Sequence, residues 1–225
     1  MKIYIYSTEK SSMEIFITIA SILAGTLAII LFLWRFYFLR NPNPIIPSRE
    51  NLILSPANGN IARIYEFKKG QKYTAEKGMF GKIPLFTKDV AEKGYIILIR
   101  LHVYNIHWQR APISGAVEHI KYTKGKFFNA VNDVHNMQCF FENERNEILI
   151  KGKISCKVIQ IAGYLARRIE CFVKEQQSIN RGDILGLINL GSQCALIIPK
   201  IKLMVKEGDI VQIAETVIGE IHENV

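Results

Sequence analysis

From Ile15 to Trp34 the chain runs for 20 residues without a charged side chain (IFITIASILAGTLAIILFLW). As a helix rising about 1.5 Å per residue, that stretch is roughly 30 Å long, the thickness of a bilayer's hydrocarbon core. Trp34, Phe36, Tyr37 and Phe38 crowd its C-terminal end, as an interfacial aromatic belt would. The run is too long for a signal peptide, and no small-residue cleavage site follows it. It is also longer than an ordinary buried core helix. A single span and a half-depth, re-entrant insertion both fit; two full spans would need about 40 apolar residues. Lys2 and Lys10 precede the segment, whereas Arg35, Arg40 and Arg49 follow it closely, so the positive-inside rule puts the main domain in the cytoplasm.

The net charge of +9 asks for an anionic partner. No recognised nucleic-acid motif or long basic run is present, so nucleic acid is not expected. With an apolar anchor on the same chain, an anionic lipid surface is the better partner. The four cysteines (Cys139, Cys156, Cys171, Cys194) show neither CxxC nor metal-finger spacing. They read as reduced core thiols in a cytoplasmic compartment, with no metal site and with Cys194 on an inward-facing strand position.

A length of 225 residues allows one domain plus an appendage. Residues 1–12 form a polar lead-in, 13–39 the membrane segment, and 40–49 a Pro-rich linker that cannot continue a helix. From 50 to 225 the pattern is mostly β: short apolar runs such as Ile96–Val103 and Cys156–Ala162 alternate with Gly, Asn and Asp. Asn58-Gly59 suits a tight hairpin, and Ala162–Glu170 is the best helical interruption. After Ile201 the tail reads strand, Lys206-Glu-Gly-Asp209 turn, strand and further strand. It resembles the hairpins of lipoyl and biotinyl carrier domains, in architecture only, because no modifiable lysine sits in a matching hairpin. The expected fold is mainly β (α+β), with lipoyl-carrier-like hairpins at the C-terminus and an N-terminal membrane helix.

Leu190-Gly191-Ser192 adds chemistry. A serine that attacks the carbonyl before it turns an amide into an ester, and elimination followed by hydrolysis leaves an N-terminal ketone. Alone, Gly-Ser is an ordinary turn dipeptide. Here it follows Leu54-Ser-Pro-Ala-Asn-Gly59 and Val103-Tyr-Asn-Ile-His-Trp-Gln-Arg-Ala-Pro-Ile-Ser-Gly115. Together the three resemble the SPADG, NVHxNRxPxxG and FGSR segments of phosphatidylserine decarboxylases, specifically the short bacterial proenzymes. Phe38-Leu-Arg-Asn-Pro, Gly125-Lys-Phe-Phe-Asn-Ala130, Asn143-Glu-Arg145 and Gln160-Ile-Ala-Gly-Tyr-Leu-Ala-Arg-Arg168 extend the likeness, in order, over roughly residues 36 to 220.

The resemblance implies self-cleavage at Gly191–Ser192 into a β chain (1–191) and an α chain (192–225) that stay associated. Ser192 becomes a pyruvoyl cofactor, and His107 is the base for cleavage, a role that suits an imidazole near neutral pH. The implied reaction converts phosphatidylserine to phosphatidylethanolamine and CO2 by Schiff-base chemistry, at a bacterial cell membrane. Oligomeric state is left open, a homo-oligomer included. Asn58 departs from the pattern, standing where the family has the aspartate that orients the histidine. Positioning alone suffices, or Asn58-Gly59 deamidates to aspartate, or the chain is an unprocessed, catalytically silent lipid-binding relative. Gln193 replaces an arginine of the short forms, and Tyr104 stands where longer members carry a second histidine; a proton relay through its phenol ranks no higher than a packing role.

Overall fold

The apolar run forms one continuous helix, α1 (Lys2–Phe32), carried on by a π-helical stretch over Leu33–Phe38. The structure, a computed structural model, describes residues 2–69, 86–129, 137–164, 168–189 and 192–221, with side chains from residue 13 onward. Within α1 the hydroxyls of Thr18, Ser21 and Thr26 donate at 2.8 Å to the carbonyls of Glu14, Ile17 and Ile22. Polar side chains in the run thus have partners inside the helix, as a hydrocarbon environment demands. Met13–Phe38 is long and apolar enough to cross a membrane, and Ile15, Phe16, Leu23 and Phe32 are exposed. Met1–Arg40 forms one compact unit and Asn41–Val225 the other.

The second unit is mainly β. Its strands are β1 (Leu52–Leu54), β2 (Gly59–Lys68), β3 (Lys93–Leu101), β4 (Trp108–Arg110), β5 (Gly115–Thr123), β6 (Arg145–Lys151) and β7 (Ser155–Ile161). They continue with β8 (Ile169–Cys171), β9 (Ser178–Ile179), β10 (Ile184–Ile188), β11 (Ser192–Pro199), β12 (Lys202–Leu203), β13 (Ile210–Val211) and β14 (Val217–Glu220). A curled eight-stranded antiparallel sheet has the order β13-β2-β3-β11-β7-β6-β5-β9; two three-stranded sheets run β1-β14-β12 and β4-β10-β8.

Strand β11 is buried at all eight positions. Its alternation explains why: Cys194, Leu196 and Ile198 enter one apolar cluster, whereas Ala195 and Ile197 enter another. The first cluster also takes Ile53 from β1, Leu185 from β10 and Ile218 from β14, so both small sheets cover that face. The second is capped by Phe86, Met137 and, from the short helix Gln138–Glu142, Phe140 and Phe141. A strand covered on both faces must read as a near-continuous apolar run, and Cys194–Ile198 does.

Several expectations fail for physical reasons. The helix expected over Ala162–Glu170 is absent where the chain is described: residues 162–164 are irregular and Ile169–Cys171 is strand β8, paired with β10; residues 165–167 lie outside the described residues. Asn58-Gly59 turns no hairpin, because β1 pairs with β14 and β2 with β3 and β13. Gly59 instead permits close approach, since a Cβ there would lie 2.1 Å from the Arg100 carbonyl oxygen. Cys139, Cys156 and Cys194 are buried, but Cys171 is exposed, at the edge of a three-stranded sheet rather than in the core. Around the Lys206–Asp209 turn, which places Gly208 at φ +90, β12 pairs with β14 and β13 with β2.

One buried cation ties the outer layer to the sheet. The Lys157 ammonium meets Asp89 at 2.7 Å and Glu147 at 3.5 Å, and donates to the Phe86 carbonyl at 2.9 Å. Removing it would leave the buried Glu147 carboxylate with Arg145 Nε at 3.4 Å as its remaining cation, so Lys157→Ala is expected to cost about 3 kcal/mol. Gly59→Ala forces β2 away from β3 and is expected to cost roughly 1–3 kcal/mol. Thermal unfolding of the full chain in detergent micelles, followed by near-UV circular dichroism, checks both.

Candidate active site

The three motif segments converge at one end of the large sheet. Strand β2 starts at Gly59, beside Arg100 near the end of β3. Strand β3 ends at Leu101, which pairs with Ser192, the first residue of β11. From Leu101 the chain loops to His107 and enters β4, and the His107 carbonyl accepts from the amide of Ile188 at 3.1 Å. The Leu54–Gly59 segment is fixed by the Ser55 hydroxyl, which donates to the Ala57 carbonyl at 2.7 Å. The Arg110 amide donates to the Pro56 carbonyl at 3.0 Å.

Ser192 is fully buried, and its hydroxyl has no hydrogen-bond partner among the described residues. An unpaired buried hydroxyl costs about 1–3 kcal/mol, so such a group calls for an explanation in function. Gly191 and Leu190 lie outside the described residues. Cys194, two residues on, is no rival nucleophile: complete burial pushes its thiol well above the ordinary range, as it does for Cys156.

His107 is also fully buried, with Nδ1 2.9 Å from the main-chain carbonyl oxygen of Asn105. The Asn58 side chain meets that of Asn105. Its Oδ1 accepts from the Asn105 side-chain amide at 3.0 Å. Asn105 in turn closes its own turn, its Oδ1 accepting from the His102 main-chain amide at 2.8 Å and its main-chain N–H donating to the His102 carbonyl at 2.9 Å. The His102 imidazole is held below its usual pKa by burial and by the Arg100 charge. It stacks on Tyr104, ring centroids 5.2 Å apart. Tyr104 is otherwise exposed, and Gln193 is buried between Arg100 and Ile161 of the flanking strands.

A row of buried carboxamides, absent from the expected site residues, backs this arrangement. Asn146 donates to Gln160 at 2.9 Å, Gln160 to Gln109 at 2.8 Å, and Gln109 to the His107 carbonyl at 2.7 Å. All three are buried, and Gln160 sits opposite Cys194 in the ladder. Gly186 leaves room for the row, since a Cβ there would come 2.7 Å from Gln160 Nε2. Polar residues at inward positions of apolar strands were the available signal. Asn143 joins three further motif segments, bonding both ways with Phe128 at 2.9 Å and donating to the Ala162 carbonyl at 2.7 Å. Among the described residues no three of His, Cys, Asp or Glu gather into a ligand set for a metal.

Comparison with known proteins agrees with these convergent segments. The sequence pattern of the family described as phosphatidylserine decarboxylase matches residues 31–219. A phosphatidylserine decarboxylase proenzyme of Wolbachia sp. subsp. Brugia malayi is 38% identical over 83% of this chain and 75% of its own. The proenzyme of that name from Carboxydothermus hydrogenoformans is 36% identical over 88% and 84% respectively. A putative archaetidylserine decarboxylase proenzyme of Methanocaldococcus jannaschii is 35% identical over 84% and 90%. The chain belongs to the phosphatidylserine decarboxylase family and is, as a member of it, a decarboxylase enzyme.

Proposed function

We propose that the chain is a proenzyme that cuts itself before Ser192, builds a pyruvoyl group there, and converts phosphatidylserine to phosphatidylethanolamine and CO2 at a membrane. The observation that carries this reading is the fully buried Ser192 hydroxyl at the start of the central strand, without a hydrogen-bond partner among the described residues. Relatives carry two names, phosphatidylserine and archaetidylserine decarboxylase proenzyme, and share the serine headgroup.

In this mechanism His107 takes the Ser192 hydroxyl proton and Oγ attacks the Gly191 carbonyl carbon. The C–N bond breaks, the proton passes to the Ser192 nitrogen, and an ester remains. Removal of the Ser192 Cα proton then breaks the Cβ–Oγ bond, and Gly191 leaves as a carboxylate. Tautomerisation of the resulting enamine and addition of water release ammonia, leaving a ketone on the first residue of β11. The site suits that group, because its carbon skeleton is that of Ser192 and the hydroxyl has no hydrogen bond among the described residues. Once formed, the ketone supplies an electron sink for the pair left when CO2 departs. Pairing of β11 with β3 and β7, and of β14 with β1, supports association of the two fragments after cleavage.

Residues 13–39 serve as the anchor, 40–49 as the linker and 50–225 as the decarboxylase domain, with the tail's carrier-like hairpins a matter of architecture. The basic surplus meets the phosphates of anionic lipid. Arg35, Arg40 and Arg49 support a domain on the cytoplasmic side of a bacterial cell membrane. The competing reading, an unprocessed lipid-binding relative, rests on Asn58.

Intact-mass spectrometry of the purified protein separates the two. The expected result is two fragments broken before Ser192, the smaller blocked by a ketone, with Ser192→Ala remaining a single 25.7 kDa chain. A native chain that stays uncleaved for days with membrane lipid present sinks the decarboxylase mechanism. His107→Gln is expected to slow cleavage by about 10²–10⁴ without changing the circular dichroism spectrum. Phosphatidylethanolamine formation from phosphatidylserine vesicles should track the cleaved fraction.

A further inference from the structure

We infer that Asn58 acts on His107 only through Asn105, a positioning residue whose main-chain carbonyl sets the imidazole tautomer, so that an amide at position 58 suffices. The inference rests on the proposed role of His107 as base. A carbonyl oxygen can only accept, so the 2.9 Å contact requires His107 Nδ1 to carry the proton. The other ring nitrogen, Nε2, then holds the lone pair that a base needs. In a serine-protease triad the acid touches Nδ1 itself, and an asparagine there presents an NH2, selects the wrong tautomer and costs about 10⁴ in rate. Here the side chain at 58 never meets that choice. Its Oδ1 accepts from Asn105 Nδ2 at 3.0 Å, a bond that carboxamide and carboxylate oxygens accept alike. Two further hydrogen bonds, 2.8 and 2.9 Å between Asn105 and His102, hold the turn that presents the carbonyl. Deamidation of Asn58 is then unnecessary for cleavage.

Two measurements test this. In the uncleavable Ser192→Ala chain, 15N NMR of histidine reads the His107 tautomer directly, with His107→Gln identifying its signals. The expected form is Nδ1–H, in both the Asn58 chain and Asn58→Asp; the Nε2–H form in the Asn58 chain overturns the inference. Asn105→Ala is expected to admit the Nε2–H form, and an unchanged tautomer there overturns the positioning role. The second measurement is the self-cleavage rate of chains that keep Ser192. Losing one hydrogen bond, Asn58→Ala should slow cleavage by about 2–10-fold. Asn58→Asp should recover that loss and gain less than about tenfold over the native chain. A gain approaching 10⁴, or cleavage in Asn58→Asp alone, overturns the inference while leaving self-processing chemistry intact. If no chain cleaves yet the Asn58 and Asn58→Asp chains both hold Nδ1–H, the proposed function fails and the tautomer assignment stands.

Discussion

The two-sided pairing of β11 is the constraint on which the rest of this domain depends. An interior strand must place every backbone N–H and C=O in a ladder, because burial leaves no water to satisfy them. Strand β3 meets one edge over eight residues and β7 the other over five. Both faces are then covered, one by the two small sheets and one by Phe86, Met137, Phe140 and Phe141. A one-residue slip of β11 would move its side chains to the opposite cluster, so the register that places Ser192 is held by the core on both faces.

Burial at that end of the sheet explains the dense amide bonding around His107. In a low-dielectric interior each carboxamide must find partners or cost free energy, and a fully connected row rigidifies what it touches. The row from Asn146 to Gln109 terminates on the His107 carbonyl, and the turn of Asn105 holds the ring from the other side. Backbone and ring of one residue are thus fixed by separate networks. The carboxamides and main-chain groups of both networks are neutral, which avoids the desolvation cost that ionised partners would bring to a buried site.

Much of this was legible from residue patterns, and what was missed has tertiary causes. The membrane-length helix and strands β3, β7 and β11 are written in uninterrupted or alternating apolar runs. Ser192, His107 and Asn58 could be found because their flanking segments are distinctive, and the topology brings all three to one end of the sheet. Ala162–Glu170 misled because its local helical preference yields to pairing of Ile169–Cys171 with β10. Gly59 looked like a turn residue, yet its constraint is the Arg100 carbonyl, contributed by a strand far along the chain. The acceptor for His107 was invisible for a deeper reason: it is a main-chain oxygen, and every residue carries one.

The weaving of β11 also bears on how such a domain ends its life. With β11 and β14 both interior to their sheets, a chain broken ahead of Ser192 holds its smaller piece by two strands that cannot peel off an edge. The halves part only if the sheet opens. Separation then becomes a bimolecular loss: the pieces drift apart by diffusion and reassembly slows with dilution, whereas an intact chain refolds at a rate independent of concentration. Persistence of the broken form is then governed by how rarely the sheet opens, and dilution after opening favours its loss.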